Sequence, residues 1–173
     1  MSTLRDSPAP DTPVADAESR LHDDDHDALR LWLRLLTCTS LIERQIRAQL
    51  RERFAMTLPR FDLMAQLERA PQGLKMSELS RRMMVTGGNV TGLTDQLVSE
   101  GLVVRRQVPG DRRAQAISLT REGRRVFRRM AEAHERWIVE LTAGLSPGER
   151  HRLYALLGRL KRGVAEISSQ ETR

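Results

Sequence analysis

Arg105, Arg106, Arg112 and Arg113 flank the turn Pro109-Gly110-Asp111. A guanidinium is always charged and presents a fork of donors, so its natural partners are phosphate and carboxylate. Pro-Gly-Asp is good turn chemistry. The β-prone runs on either side, Leu102 to Gln107 and Ala116 to Leu119, predict a two-stranded ribbon. Arg112 and Arg113 then sit at its tip, with Arg105 and Arg106 on the strand leading in. The narrow minor groove of DNA attracts inserted arginine, and Asp111 is placed to orient one of the tip arginines. Just upstream, Thr86, Gly87, Gly88, Asn89, Thr91, Gly92, Asp95 and Gln96 gather short polar or absent side chains on a predicted helix from Thr86 to Glu100. The opposite stripe is apolar: Val90, Leu93 and Leu97. An internal glycine costs a helix about 1 kcal/mol relative to alanine, so glycines on the exposed side point to a close backbone approach. The major groove admits a helix and offers base edges and thymine methyls. Asn89 and Gln96 can pair with adenine, and Thr91 can touch a thymine methyl or a phosphate. Each feature alone also fits a loosely packed surface helix or a solvated turn. Their order and separation favour DNA.

Several elements must hold these residues in place. From Asp27 to Phe54 the chain has no Gly or Pro, and a long helix is expected. Its first half, from Leu29 to Cys38, is apolar nearly all round, and a helix of that kind must be covered on all sides. A partner subunit is the economical cover. The second half narrows to Ile42, Ile46, Leu50 and Phe54. Thr57-Leu58-Pro59 opens a second helix with Phe61, Leu63, Met64 and Leu67 inside. Gly73 marks a turn, Leu74 to Met76 a short strand, and Ser77 the cap of a third helix from Glu78 to Met83. Gly101 stops the fourth helix. Thr120 caps a fifth, expected to run to about Leu145 with Val126, Met130, Trp137, Ile138 and Leu141 inside. Ser146-Pro147-Gly148-Glu149 reads as a capping box with proline at the first helical position. The sixth helix carries Leu153, Leu156, Leu157, Leu160 and Val164 on one face.

Helix, turn, helix, strand, basic hairpin, strand is the order of a winged helix-turn-helix DNA reader. The expected fold class is mainly α with a small β-wing: a winged helix-turn-helix domain plus N- and C-terminal dimerisation helices. The expected division is a disordered acidic tail (1–25), an N-terminal dimerisation helix (26–56), the winged DNA-binding domain (57–120) and C-terminal dimerisation helices (121–173).

Composition agrees with that reading. The 173 residues carry a net charge of +6, but residues 1–27 hold two arginines against eight acids, which leaves +12 for residues 28–173. Residues 101–136 hold ten arginines against four acids. A basic body fits a polyanionic partner. Hydrophobic content of 39% supports a core, and 3% aromatic content makes it one of Leu, Val, Ile and Met. One cysteine rules out a disulfide framework within the chain, and no Cys/His cluster has zinc-finger spacing. The run His22 to Asp27 has two histidines at i,i+4, but an acidic lead-in to a helix explains it better than a metal site. No apolar run approaches the ~20 residues of a membrane span, and no signal-peptide segment opens the chain. A cytoplasmic protein with no cofactor, no metal and no membrane partner is expected.

The run DRRAQAISLTREG, residues 111–123, resembles the signature of MarR-type transcriptional regulators: Asp, any residue, Arg, then Leu-Thr ahead of a helix with Gly. The resemblance extends over about residues 28–167. It implies an obligate homodimer with intertwined terminal helices, binding a pseudo-palindromic double-stranded operator. It also implies that Arg113, two residues after Asp111, is the minor-groove arginine, with Arg112 as a further candidate. The Gly-Gly-Asn-Val-Thr-Gly start of the recognition helix departs from the commoner Ser/Thr-rich pattern. It is similar to a subgroup regulating catabolism of aromatic acids and their coenzyme A thioesters, as are the segments His134 to Trp137 and Leu58 to Leu67. In such proteins a small effector relieves repression. Its pocket here is expected to draw on Arg34, Thr37, Arg60, Asp62 and His134 as polar lining, with Trp32, Leu41, Phe61, Met64 and Trp137 as walls.

Three other functions are weighed. A thiol redox sensor would use Cys38, but this cysteine lies in the most apolar part of the first helix and Tyr154 is far along the chain, so a buried structural cysteine is expected. A winged protein-interaction module would not need Arg113. An enzyme would need a nucleophile–base pair, a phosphate loop or a metal cluster, and none is recognisable.

Overall fold

The computed structural model describes residues 26–83, 90–108 and 111–171, with backbone alone at 108, 111–114 and 168–171. Two compact units divide it, the first ending at Arg44 and the second beginning at Gln45. Helix α1 spans Asp27–Phe54, without Gly or Pro. In the first unit several of its large apolar side chains are exposed, Leu31 by 56% and Trp32 by 55%, while Leu33, Leu35 and Ile42 are half-buried. Cys38 is exposed there too, where burial was expected. The expectation failed because the apolar surface around the cysteine is not covered within the single chain.

In the second unit α1 turns inward, with Ile46 and Leu50 buried. It ends at Ala55, whose φ of +50° lies in the left-handed region and whose N–H donates to the Arg51 carbonyl at 3.1 Å. Thr57 is extended, and Pro59 starts α2, Leu58–Glu68. This helix is the hub: it touches α3 (Met76–Arg82), α4 (Val90–Ser99), α5 (Arg121–Leu141) and strand β3 (Asp111–Leu119). Leu63, Leu67, Leu79, Leu97, Ile117, Leu119 and Met130 are all 2% exposed or less. Each such side chain stabilises by roughly 1.5–3 kcal/mol relative to exposure.

The sheet is antiparallel in the order β1–β3–β2, with β1 Leu74–Lys75 and β2 Val103–Val108. Gly73 precedes it at φ +87°, and a Cβ there would stand 2.8 Å from the Ile117 carbonyl oxygen. Strand β3 begins at Asp111 rather than Ala116, so the ribbon is longer than its β-prone residues alone predicted. Pairing with β2 carries the extra residues: Arg105 faces Ile117, Gln107 faces Gln115, and the register then shifts so that Val108 faces Asp111.

Helix boundaries differ in two places. Lys75, in extended conformation, is the N-cap of α3, two residues earlier than the expected cap Ser77. Helix α5 stops at Leu141; the Thr142 hydroxyl donates to the Ile138 carbonyl at 2.8 Å and the chain then turns through Gly144. The capping box at Ser146 is formed: the Ser146 N–H donates to Glu149 Oε2 at 2.8 Å, and the Glu149 N–H returns to Ser146 Oγ at 3.3 Å. Helix α6, Pro147–Glu171, follows. Its apolar face, Leu153, Leu156, Leu157, Leu160 and Val164, is exposed by 39–55%. No helix among the described residues is long and apolar enough to cross a membrane.

Candidate nucleic-acid interface and effector residues

The recognition helix α4 is fixed from its far end. Gly101, at φ +70°, is its C′ residue, as the sequence indicated. The Gly101 N–H donates to the Val98 carbonyl at 2.9 Å and the Leu102 N–H to the Leu97 carbonyl at 2.9 Å, the paired bonds of a Schellman motif. Leu97 and Leu102, the C3 and C″ positions whose apolar side chains such a motif brings together, are both buried. Thr120 then ties the base of the wing to this cap. Its hydroxyl donates to the Gly101 carbonyl at 2.7 Å and accepts from the Gly123 N–H at 2.9 Å, while its own N–H donates to the Leu102 carbonyl at 3.0 Å. Gly123 is needed for this closeness, since a Cβ there would lie 1.9 Å from the Leu102 oxygen. The Leu-Thr-x-x-Gly run is therefore a weld between the end of α4, the sheet and the start of α5.

On α4 itself Leu97 is fully buried, Val90 and Leu93 are half-buried, and Thr94 shares the inner stripe. Thr94 was not expected there. Its hydroxyl is satisfied by the Val90 carbonyl at 2.7 Å, which makes burial acceptable for a polar residue. The outer face presents Thr91, Asp95 and Gln96 exposed and Gly92 half-exposed. Arg105 on β2 forms an ion pair with Asp95, linking wing to recognition helix. Sequence reasoning assigned both to DNA separately and missed that each engages the other. Arg106 is exposed beside them. Thr86, Gly87, Gly88 and Asn89 lie outside the described residues. The backbone of Arg112 and Arg113 lies at the start of β3, and their side chains are outside the described set.

The expected effector residues fall into two sets. Trp32, Arg34, Thr37 and Leu41 are exposed on the first unit. In the second unit Phe61 is flanked by Phe127, with ring centroids 5.5 Å apart and nearly parallel, and by His134 at 5.1 Å. His134 meets Trp137 edge-on at 6.5 Å, and Trp137 lies 6.2 Å from Phe54 with the Arg53 guanidinium 5.7 Å from its ring. Partial burial holds the His134 pKa below its ordinary value. Met64 is fully buried in the core, and Asp62 accepts a bond from Gln66 Nε2 at 3.3 Å. Arg60, 9% exposed, pairs with Glu100 just past the end of α4, and its Nε has no partner. Phe127 and Glu100 were not singled out from the sequence. An arginine beside Phe61 on a buried helix face does signal that some carboxylate must meet it. Among the described residues no group of three His, Cys, Asp or Glu side chains could hold a metal. His22 to Asp25 lie outside that set.

A model of the MarR family matches residues 56–114, the stretch from the end of α1 into the wing. The HTH-type transcriptional regulator PecS of Dickeya dadantii is 30% identical over 112 residues, which span 64% of this chain and 68% of PecS. A MarR family transcriptional regulator from Silicibacter pomeroyi superposes with a TM-score of 0.70 at 34% identity, over 85% of this chain and 99% of that one. The chain belongs to the MarR family. It is a MarR-type DNA-binding transcriptional regulator, and its helical fold with a three-stranded antiparallel wing is that of solved MarR structures. A MarR mutant from E. coli complexed with operator DNA shares the fold at 24% identity and a TM-score of 0.68, over 80% of this chain and 99% of that one. Within this MarR-family chain the Asp111-x-Arg113 and Leu119-Thr120 positions of the signature open and close one strand, β3. The signature thus joins the wing tip to the weld at its base.

Proposed function

We propose that this MarR-family chain is a homodimeric repressor that reads a pseudo-palindromic operator and is released by a small aromatic acid or its coenzyme A thioester. The recognition face is Thr86 to Asn89 with Thr91, Gly92 and Gln96, and Arg112 and Arg113 anchor the wing in the minor groove. Asp95 and Arg105 set the angle between the two. The observation that carries the reading is the polar outer face of α4 held to an arginine-bearing ribbon by the Arg105–Asp95 pair. The E. coli MarR mutant seated on operator DNA supports it as a likeness of fold. Exposed leucines on α1, and separately on α6, support a second copy as their cover, because an exposed apolar helix face marks an interaction surface. Phe61, His134 and Trp137 are the proposed aromatic side of the effector site. Arg60 and Asp62 are its polar side. The test is binding to the chain's own promoter region against a random duplex of equal length. Arg113→Ala should weaken both and lower the salt slope by about 1. Wild-type protein that binds the two duplexes equally would sink the operator reading.

A further inference from the structure

One concentration of charge lies outside every residue assigned so far. Arg121, Arg124, Arg125, Arg128 and Arg129, with Glu122, line an open groove of about 740 Å³ along the first turns of α5. The inner face of this helix is Gly123, Met130, Ala133 and Trp137, so Arg121, Arg125 and Arg128 occupy the opposite side. Like charges at such spacing repel one another. Local partners relieve only part of the repulsion. Glu122 takes two hydrogen bonds from Arg125, which lowers the carboxyl's pKa. Arg124 donates to the Leu119 carbonyl at 2.9 Å, and Arg128 stands 3.8 Å from Glu68 of α2. Among the described residues Arg121 and Arg129 have no carboxylate within ion-pair distance.

Five permanent positive charges against one lining carboxylate exceed what a monocarboxylate can use, since such a ligand occupies a single guanidinium fork. Several phosphate groups carried close together would use them. We propose that the α5 groove binds the phosphate-rich end of a small ligand, a diphosphate or triphosphate ester. Coenzyme A and a nucleoside triphosphate both offer that chemistry. The groove stands independently of the operator reading, which is tested by DNA binding without ligand. If the effector is a coenzyme A thioester, the groove holds its phosphates. If the ligand is a nucleotide, it is a second signal.

The experiment is calorimetric titration of the full-length chain with ATP, with coenzyme A and with sodium benzoate, repeated on an Arg121→Ala/Arg129→Ala variant whose melting temperature is checked first. Both substitutions are on exposed side chains and leave the Thr120 cap intact. ATP, coenzyme A or both should bind, more weakly as salt rises, and the double variant should lose about tenfold or more in affinity. Binding of both assigns the site to the shared phosphates, and binding of one alone identifies its source. The proposal is overturned if neither binds, or if the double variant binds them as the wild type does. It is also overturned if that variant loses affinity for DNA while its affinity for ATP and coenzyme A is unchanged, which would assign the groove to a DNA backbone.

Discussion

Gly123→Ala is the sharpest probe of the weld between recognition helix and wing. The added Cβ would stand 1.9 Å from the Leu102 carbonyl oxygen and 2.8 Å from its carbon, and both are backbone atoms that no rotamer change can move. Restoring even a 3.0 Å contact requires the first turn of α5 to back away by about 1 Å. That turn carries the Thr120 hydroxyl, which holds both the Gly123 N–H and the Gly101 carbonyl. Overpacking costs about 1–3 kcal/mol and loss of an N-cap about 0.5–2 kcal/mol, so a combined loss of about 2–5 kcal/mol is expected. For a chain of this length that lowers the melting temperature by roughly 5–15 °C. The assay is thermal unfolding followed by circular dichroism at fixed protein concentration, because association would also shift the midpoint. Gly144→Ala is the control, since nothing lies within 4 Å of a Cβ there. Operator affinity, measured well below the transition, should fall as well, because Leu102 is the C″ residue of α4. A melting temperature within about 2 °C of wild type would refute the weld, since ΔΔG would then be under about 1 kcal/mol.

Three further outcomes follow from other contacts. Asp95→Asn frees Arg105 and removes a carboxylate from the DNA-facing side, so the ratio of operator to random-duplex affinity should narrow while stability changes by less than about 1 kcal/mol; an unchanged ratio in gel-shift titrations would remove Asp95 as a positioning group. Leu157→Glu places a charge on the exposed leucine face of α6 and should convert a dimer to a monomer by light scattering, and a monomeric wild type would contradict the dimer itself. His134 has a folded-state pKa lowered by burial, so the unfolded chain binds more protons between that pKa and the ordinary value of 6.5. Its contribution is therefore full above about 6.5 and is lost as pH falls through that window. His134→Gln should flatten the acid side of the stability curve, and a curve of unchanged slope would show that another group controls it.

What was legible in the sequence was local and stereochemical. Gly101 as a C′ glycine, Thr120 as an N-cap and the Ser146/Glu149 box all depend on atoms within a few residues, and each appears as read. The order of elements followed from the same punctuation. What was not legible depended on contacts across the chain. Thr94 looks like a surface residue until Val90 is seen to take its hydroxyl. Strand β3 extends to Asp111 because β2 lies beside it, although Asp-Arg-Arg has little strand propensity. Cys38 sits in an apolar run that normally signals burial, and the single chain leaves it exposed. Asp95 and Arg105 each read as a DNA contact, and their mutual pairing depends on a strand–helix distance that no local pattern encodes.

Helix α2 touches both the recognition helix α4 and the aromatic residues of α5. Arg60 and Phe61 are consecutive, yet they face different partners: Phe61 enters the stack with Phe127 and His134 on α5, and Arg60 reaches Glu100 past the end of α4. The helix fixes the backbone of the two residues together, while each side chain keeps its own χ rotations. A displacement therefore reaches both the Phe61 stack and the Arg60–Glu100 pair only if it shifts the α2 backbone itself. Arg60 is largely buried with its Nε unpartnered, so losing Glu100 would leave a charge with little water to replace it. The pair thus resists displacement, and only a ligand that stabilises the moved state by more than the pair loses can shift the equilibrium.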